Sequence, residues 1–241
     1  MIYWFALTVA ALPLQAQTKF VTAGKIEYER KTNQFAFMDE GDLWDEMARK
    51  SLSKFLTNYF DLTFKGNRTL YTAGREPDVK QNRYWGIFAV ENVIFSNIDS
   101  NQSITQRSIY SDSYLVSDSL RHIDWKVTTE MRKIAGFDCR KAVGRIMDSI
   151  VVIAFYTDEI LCSGGPESFN GLPGMILGLA IPRLHTTWYA TKLQLVEVTE
   201  KDLQAPRKGK KMTGEVYSTQ VKEILKQWGE EAVKRQWQFL L

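Results

Sequence analysis

Two cysteines and two histidines are all that 241 residues offer for thiolate or imidazole chemistry. His122 and Asp124 lie two apart on one strand, and with His185 they are the one set that would seed a metal site. No His-x-x-x-His spacing accompanies them, so they read as exposed polar positions and no metal is expected. Ser163-Gly164-Gly165 is not a nucleophile elbow, because no Gly-x-Ser-x-Gly occurs. A catalytic thiol at Cys162 would need a lowered pKa and a neighbouring base, and neither is visible. P-loop and dinucleotide fingerprints are absent, so no cofactor is expected. Asp39-Glu40-Gly41-Asp42 lacks calcium-loop spacing and reads as a helix cap. Internal repeats and low-complexity stretches are also missing. Net charge is only +3 and the pI about 8.7, which gives no electrostatic argument for a nucleic-acid partner.

Charge is also missing from the first sixteen residues. Ile2 to Ala11 is apolar, Pro13 breaks the run, and Ala16 supplies a small residue before Gln17. Length, breaker and small residue together read as a signal peptide over residues 1–16, too short for the ~20 apolar residues that cross a bilayer. Residues 17–241 then form a single β-rich domain that needs neither metal nor staples to fold. Export puts Cys139 and Cys162 in an oxidising compartment, where they could pair. A two-residue turn at Asp148-Ser149 would place Cys139 opposite Asp158. Cys162 is then four residues, ~13 Å of straight chain, further on. A bridge tolerates ~7 Å between Cα atoms, so the chain must bend back after Glu159. The alternative is two small buried apolar side chains.

What is abundant is aromatic: 7 Trp, 10 Tyr and 13 Phe, which suits a thick sheet core or an apolar groove. Lys25 to Arg30 alternates as a first strand. Trp44, Met47, Ala48, Leu52 and Phe55 fall at helical spacing and predict one inward helix face. Tyr59–Phe64 and Thr69–Thr72 read as a hairpin around Lys65-Gly66-Asn67, and residues 73–83 as an exposed loop. Short strands follow at Asn92–Ser96, Ile104–Tyr110 and Tyr114–Val116. Ile123 to Arg132 alternates, with odd residues inward. Phe137–Ile146 and Ile150–Tyr156 form a hairpin, with Ile150–Phe155 covered on both faces. Met175–Ile181 and Thr186–Val198 make another pair. Residues 199–214 read as a charged loop, and Val221, Leu225, Trp228 and Ala232 as a final helix with Glu230–Lys234 and Glu231–Arg235 pairs. The expected fold class is α+β: a curved antiparallel sheet or half-barrel of about ten strands, with an N-terminal-half helix and a C-terminal helix packed on one side.

The run Gly165-Pro166-Glu167-Ser168-Phe169-Asn170-Gly171-Leu172-Pro173-Gly174-Met175-Ile176-Leu177 resembles the signature of the GLPGLI family. Trp125-Lys126-Val127, Ile134 to Ala142, Ala154 to Ile160, Ser163 to Pro166 and Ala190-Thr191-Lys192 agree with it in order and spacing, over roughly Ile123 to Val198. Met175 stands where the family has Leu, and Leu161-Cys162 replaces a Pro and an apolar residue. The resemblance implies an exported protein of a Gram-negative bacterium, periplasmic or secreted, in a family without a settled activity. The strand order is similar, more weakly, to the periplasmic lipoprotein-carrier fold.

Gly171 and Gly174 bracket Leu172-Pro173 in a pre-set turn. It is either a corner in the sheet or a rigid lip presenting Phe169 and Leu172 to a ligand. On the second reading the binding residues are Gly165, Pro166, Phe169, Gly171, Leu172, Pro173 and Gly174, with Trp125 beneath. Arg207, Lys208, Lys210 and Lys211 read as a solvated loop or as a contact to an anionic membrane surface or an acidic partner. Three functions follow: a non-enzymatic envelope binding or carrier module for an apolar or peptide-like ligand, a pocketless protein docking on an outer-membrane complex, or a hydrolase. No catalytic residue is assigned.

Overall fold

The computed structural model describes residues 20–84, 92–109, 112–147, 149–229, 232 and 236–240. The apolar leader and the expected pairs Glu230–Lys234 and Glu231–Arg235 lie outside the described residues. The strands are β1 (Ala23–Asn33), β2 (Phe55–Lys65), β3 (Arg68–Ala73), β4 (Val93–Asn97), β5 (Gln102–Ile109) and β6 (Asp112–Asp118). They continue as β7 (Lys126–Ile134), β8 (Phe137–Ile146), β9 (Ile150–Thr157), β10 (Met175–Ile181), β11 (Thr186–Gln194) and β12 (Lys210–Thr213). The helices are α1 (Leu43–Ser51), α2 (Gly214–Gln227) and the single turn α3 (Trp237–Leu240).

All twelve strands form one sheet in the order β12-β6-β5-β4-β3-β2-β1-β11-β10-β9-β8-β7. Every pairing is antiparallel except β12 on β6, so the sheet is mixed, and its two edges, β12 and β7, leave it open. This corrects the α+β expectation. The molecule is mostly β, its helices are few and short, and they do not form a layer over the sheet: α2 packs on it at one end only. Three local causes are visible. Residues 199–214 are not simply a loop: they hold a 3-10 turn at Glu200–Leu203 and strand β12, whose Lys210–Thr213 pair with Tyr114–Ser117. Helix α1 turns its large apolar residues outward, with Trp44 79% and Met47 64% exposed, and Phe55 belongs to β2. Only Ala48 and Leu52 pack, against a small cluster of Met38, Leu56 and Tyr84. Helix α2 buries Tyr217, Val221 and Leu225 against Ile109, Tyr114 and Val116 at the β5–β6 end of the sheet, which makes a second, separate core.

The main core comes instead from the sheet's own inner face. Ile26, Tyr28, Phe60, Leu62, Phe64, Tyr71, Ile94, Val152, Ala154 and Leu179 converge there, and the connection after β9 is folded over them with Phe169 and Leu172. Burying each such side chain contributes ~1.5–3 kcal/mol relative to leaving it in water. The β2–β3 hairpin forms as read, with Lys65 opposite Arg68 and Gly66 at φ +55° in the turn. The β8–β9 hairpin differs by one residue. Ile146 pairs with Ile150 around Met147 at φ +48°, so Arg140 faces Tyr156 rather than Thr157. Strand β7 departs most from expectation. As an edge strand with an irregular register between Val127 and Met131, it leaves both of those residues exposed, so odd positions do not all point inward. Strand β9 is covered on both faces only in its second half, and Val151 is exposed. Among the described residues no helix is long and apolar enough to cross a membrane.

Candidate ligand-binding site

Strand register builds the floor of the site. On β1, Ile26, Tyr28, Arg30 and Thr32 share the inner face, because side chains alternate along a strand. Pairing sets Asn58 of β2 and Trp188 of β11 on either side of Arg30, and Leu56 and Thr186 on either side of Thr32. An arginine therefore stands in an inward row of a central strand. Its guanidinium carbon lies 4.5 Å from the centre of the Phe60 ring, and its Nη2 donates to Asn58 Oδ1 at 3.3 Å.

The charge is met from above by the connection between β9 and β10. Gly171 N–H donates to Ser163 O at 3.2 Å, Gly174 N–H to Leu172 O at 2.8 Å, and Ile176 N–H to Gly164 O at 2.9 Å. Trp125 Nε1 donates to Asn170 O at 2.9 Å, and the Tyr28 hydroxyl to Ile176 O at 2.7 Å. At Gly174 the backbone has φ +136°, and a β-carbon there would strike the Thr157 carbonyl. Glu167 sits in the left-handed region at φ +56°, an uncommon conformation for a residue with a side chain. It is 5% exposed, and its Oε1 lies 3.7 Å from Arg30 Nη1.

Asn92, 2% exposed, donates through Nδ2 to Glu167 Oε2 at 3.2 Å. An ionised carboxylate only accepts, so this bond fixes the orientation of the amide. Asn92 Oδ1 is then left buried with no hydrogen-bond partner. Such a group carries a desolvation cost of ~1–3 kcal/mol. The threonines are internally satisfied: Thr186 Oγ1 donates to Leu184 O at 2.7 Å, so Thr32 is the donor in its 3.0 Å bond to Thr186. Tyr71, stacked on Phe60 with centroids 5.0 Å apart, keeps its proton. Burial, then the Glu167 charge, push its pKa well above the ordinary value. Arg30, Asn92, Glu167, Thr32, Trp188 and Phe169 line a cleft of about 60 Å³. That is well below the ~300–1,000 Å³ of ordinary small-molecule sites, so the cleft takes one small group rather than a whole ligand.

The residues marked in the sequence are brought together here, in other roles. Phe169 and Leu172 are 2% exposed and belong to the core, so the turn is not a lip that presents them. Gly165 is packed on Ile176, Pro166 is buried, and Trp125 clamps the loop through Asn170. Gly171 and Pro173 are exposed. Cys139 and Cys162 are buried free thiols, and burial pushes both pKa values up to about 12. His122 Nε2 meets Asp124 Oδ1 at 3.0 Å, fully in solvent, while His185 packs edge-on against Phe37. Among the described residues no group of three His, Cys, Asp or Glu is placed to hold a metal ion. Asp42 caps α1 through Oδ1, accepting from Trp44 and Asp45 N–H. Arg207, Lys208, Lys210 and Lys211 are exposed, the last two on β12.

The residues that define the cleft, Arg30, Asn92 and Glu167, were not singled out in the sequence. Two signals were there. Glu167 is the one charge in the run Gly164–Leu177, and Arg30 falls on the same alternating face as Ile26 and Tyr28.

Residues 145–178 match a family described as a protein of unknown function (Porph_ging). No curated protein matches the sequence. Among solved structures the chain is similar to PNGF-II in two crystal forms. In the P21 form the TM-score is 0.55 at 15% identity, over 83% of this chain and 33% of that one. In the C2 form they are 0.54 and 16%, over 83% and 32%. The chain thus spans about a third of PNGF-II's length, and the likeness is one of fold. An uncharacterized conserved protein from Thermus thermophilus aligns at a TM-score of 0.40 and 7% identity, over 82% of this chain and 93% of that one.

Proposed function

We propose that the chain is an exported, non-enzymatic binding module of the GLPGLI type, working in the envelope of a Gram-negative bacterium. It takes a peptide-like ligand by one N–H-bearing group in the Arg30–Glu167–Asn92 cleft. The observation that carries this reading is Asn92 Oδ1, a buried acceptor without a donor. Beside it lie a carboxylate already balanced by Arg30 and an aromatic wall of Trp188 and Phe169. An amide or ammonium N–H supplies the missing donor. The small cleft volume favours a peptide-like ligand anchored by one group over bulk apolar cargo.

Titration with a set of di- and tripeptides, followed by calorimetry and by tryptophan fluorescence, tests it. Saturable binding is expected, with a fluorescence change that is lost in Trp188→Phe and an affinity at least about tenfold weaker in Asn92→Leu, the equivalent of ~1.4 kcal/mol. Equal affinity in Asn92→Leu, or no saturation by any peptide at about 10 mM, overturns it.

A further inference from the structure

We propose a second site: the cavity between β5, β6 and α2 binds a small hydroxylated oxyanion, a sugar phosphate or sulfate in chemical class, on the guanidinium of Arg121. The cavity measures about 420 Å³, within the ~300–1,000 Å³ of ordinary small-molecule sites. Arg121 Nη2 donates to Leu240 O at 3.1 Å, whereas Nη1 is buried with no partner. The guanidinium stands 5.9 Å from the Phe169 ring centre, so it is held from below by the same loop that carries Glu167.

Arg107 reinforces the positive field. It follows Ser103 and Thr105 on the buried face of β5, and its Nη1 donates to Phe239 O at 2.6 Å. Burial, and after it the Arg107 charge, bring the Arg121 pKa down to about 10, as expected for a cation lacking a counter-charge. The carboxylate on the wall does not supply one. Asp118 Oδ1 accepts from Ser119 N–H at 2.8 Å, and its other oxygen lies against Gly214, where a side chain would collide with it. No ion pair joins Asp118 to Arg121. The rest of the lining mixes hydroxyls, among them Ser103, Thr105, Ser168 and Ser218, with the apolar side chains of Val116, Leu120 and Met147, and His122 stands at the rim. A guanidinium with a free N–H edge recognises phosphate and sulfate oxygens, and hydroxyls set among apolar side chains suit the polar edge and apolar face of a sugar.

Calorimetric titration with inorganic phosphate, inorganic sulfate and glucose 6-phosphate tests the site. Saturable binding of glucose 6-phosphate is expected, with the inorganic anions at least about tenfold weaker because they leave the hydroxyl wall unused. Arg121→Gln should lower glucose 6-phosphate affinity at least about tenfold. Ser218→Trp, which fills the cavity from α2 and leaves Arg121 in place, should abolish binding, with near-UV circular dichroism confirming the fold in both variants. Unchanged affinity in a folded Ser218→Trp, or no saturation by any of the three anions at about 10 mM, overturns the proposal. Because Asn92 lines the other cleft, Asn92→Leu should leave oxyanion binding intact.

Discussion

Two arginines end up on opposite sides of the same loop under opposite electrostatic conditions. Arg30 reaches the inner face of the sheet and finds Glu167 at 3.7 Å, with Asn58 and the Phe60 ring on its other sides. Arg121, on the far side of Phe169, finds a backbone carbonyl, a like charge in Arg107, and an Nη1 edge with no acceptor. Glu167 and Ser168 are adjacent in sequence, yet one faces each cavity. The loop is thus a partition whose two sides solve the buried-charge problem differently. On one side the charge is neutralised within the chain, and an uncharged acceptor, Asn92 Oδ1, is what remains for a ligand. On the other the cation itself remains. An ion pair marks where the fold is finished, and an orphaned polar edge marks where it is not.

The largest effect is expected where the partition is anchored. Gly174→Ala forces a β-carbon into the Thr157 carbonyl at a φ of +136°. Destabilisation of more than about 4 kcal/mol is expected, with both cavities lost together. Urea unfolding measures the first, and the peptide and oxyanion titrations the second. Loss of one binding activity without the other would show that the loop is not a shared wall.

Removing one charge from each side of the loop separates the two conditions. Glu167→Ala removes a buried carboxylate from beside Arg30 and should cost about 3–5 kcal/mol. Arg121→Gln removes a cation that had no counter-charge and keeps an N–H for Leu240 O. Its unfolding free energy should stay within about 1 kcal/mol of the parent. Equal costs for the two variants in urea unfolding would break the distinction between the sites.

How much of this was legible in the sequence depended on whether local pattern or long-range register decided each feature. The hairpin at Gly66, the cap at Asp42 and the Val221–Leu225 part of the final helix's stripe are local, and the structure has all three, although α2 ends at Gln227, before Trp228 and Ala232. The stripe on α1 was equally local but misled. Trp44 and Met47 have helical spacing and still face solvent, because periodicity gives a face without saying what covers it. Alternation over 123–132 failed for a related reason. An edge strand has no second neighbour to hold its pleat, and β7 carries an irregularity. Lys210–Thr213 became a strand only because Tyr114–Ser117 offered a parallel edge distant in sequence. The candidate site was found as a place and misread as a surface. The glycines marked the loop, but Phe169 and Leu172 turn inward because the sheet's inner face has no helix layer over it. Arg107 had the same kind of signal as Arg30: it keeps step with Ser103, Thr105 and Ile109 on an alternating strand.

The buried thiols give a third case beside the two arginines, ionisable groups kept neutral, and the smallest of the expected effects. Burial raises Cys139 and Cys162 from 9.0 to about 12. A raised folded-state pKa contributes stability that is complete below the unfolded value and is lost as pH climbs toward the folded one. Stability should therefore begin to fall near pH 9, by up to about 1.4 kcal/mol per pH unit for each thiol. Tyr28 and Tyr71, raised from 10.0, join only above that value, so the interval between pH 9 and 10 isolates the thiols. Unfolding in urea across that interval should show a shallower fall for the double variant Cys139→Ala, Cys162→Ala than for the parent. Parallel curves would mean that the thiols ionise in the native state.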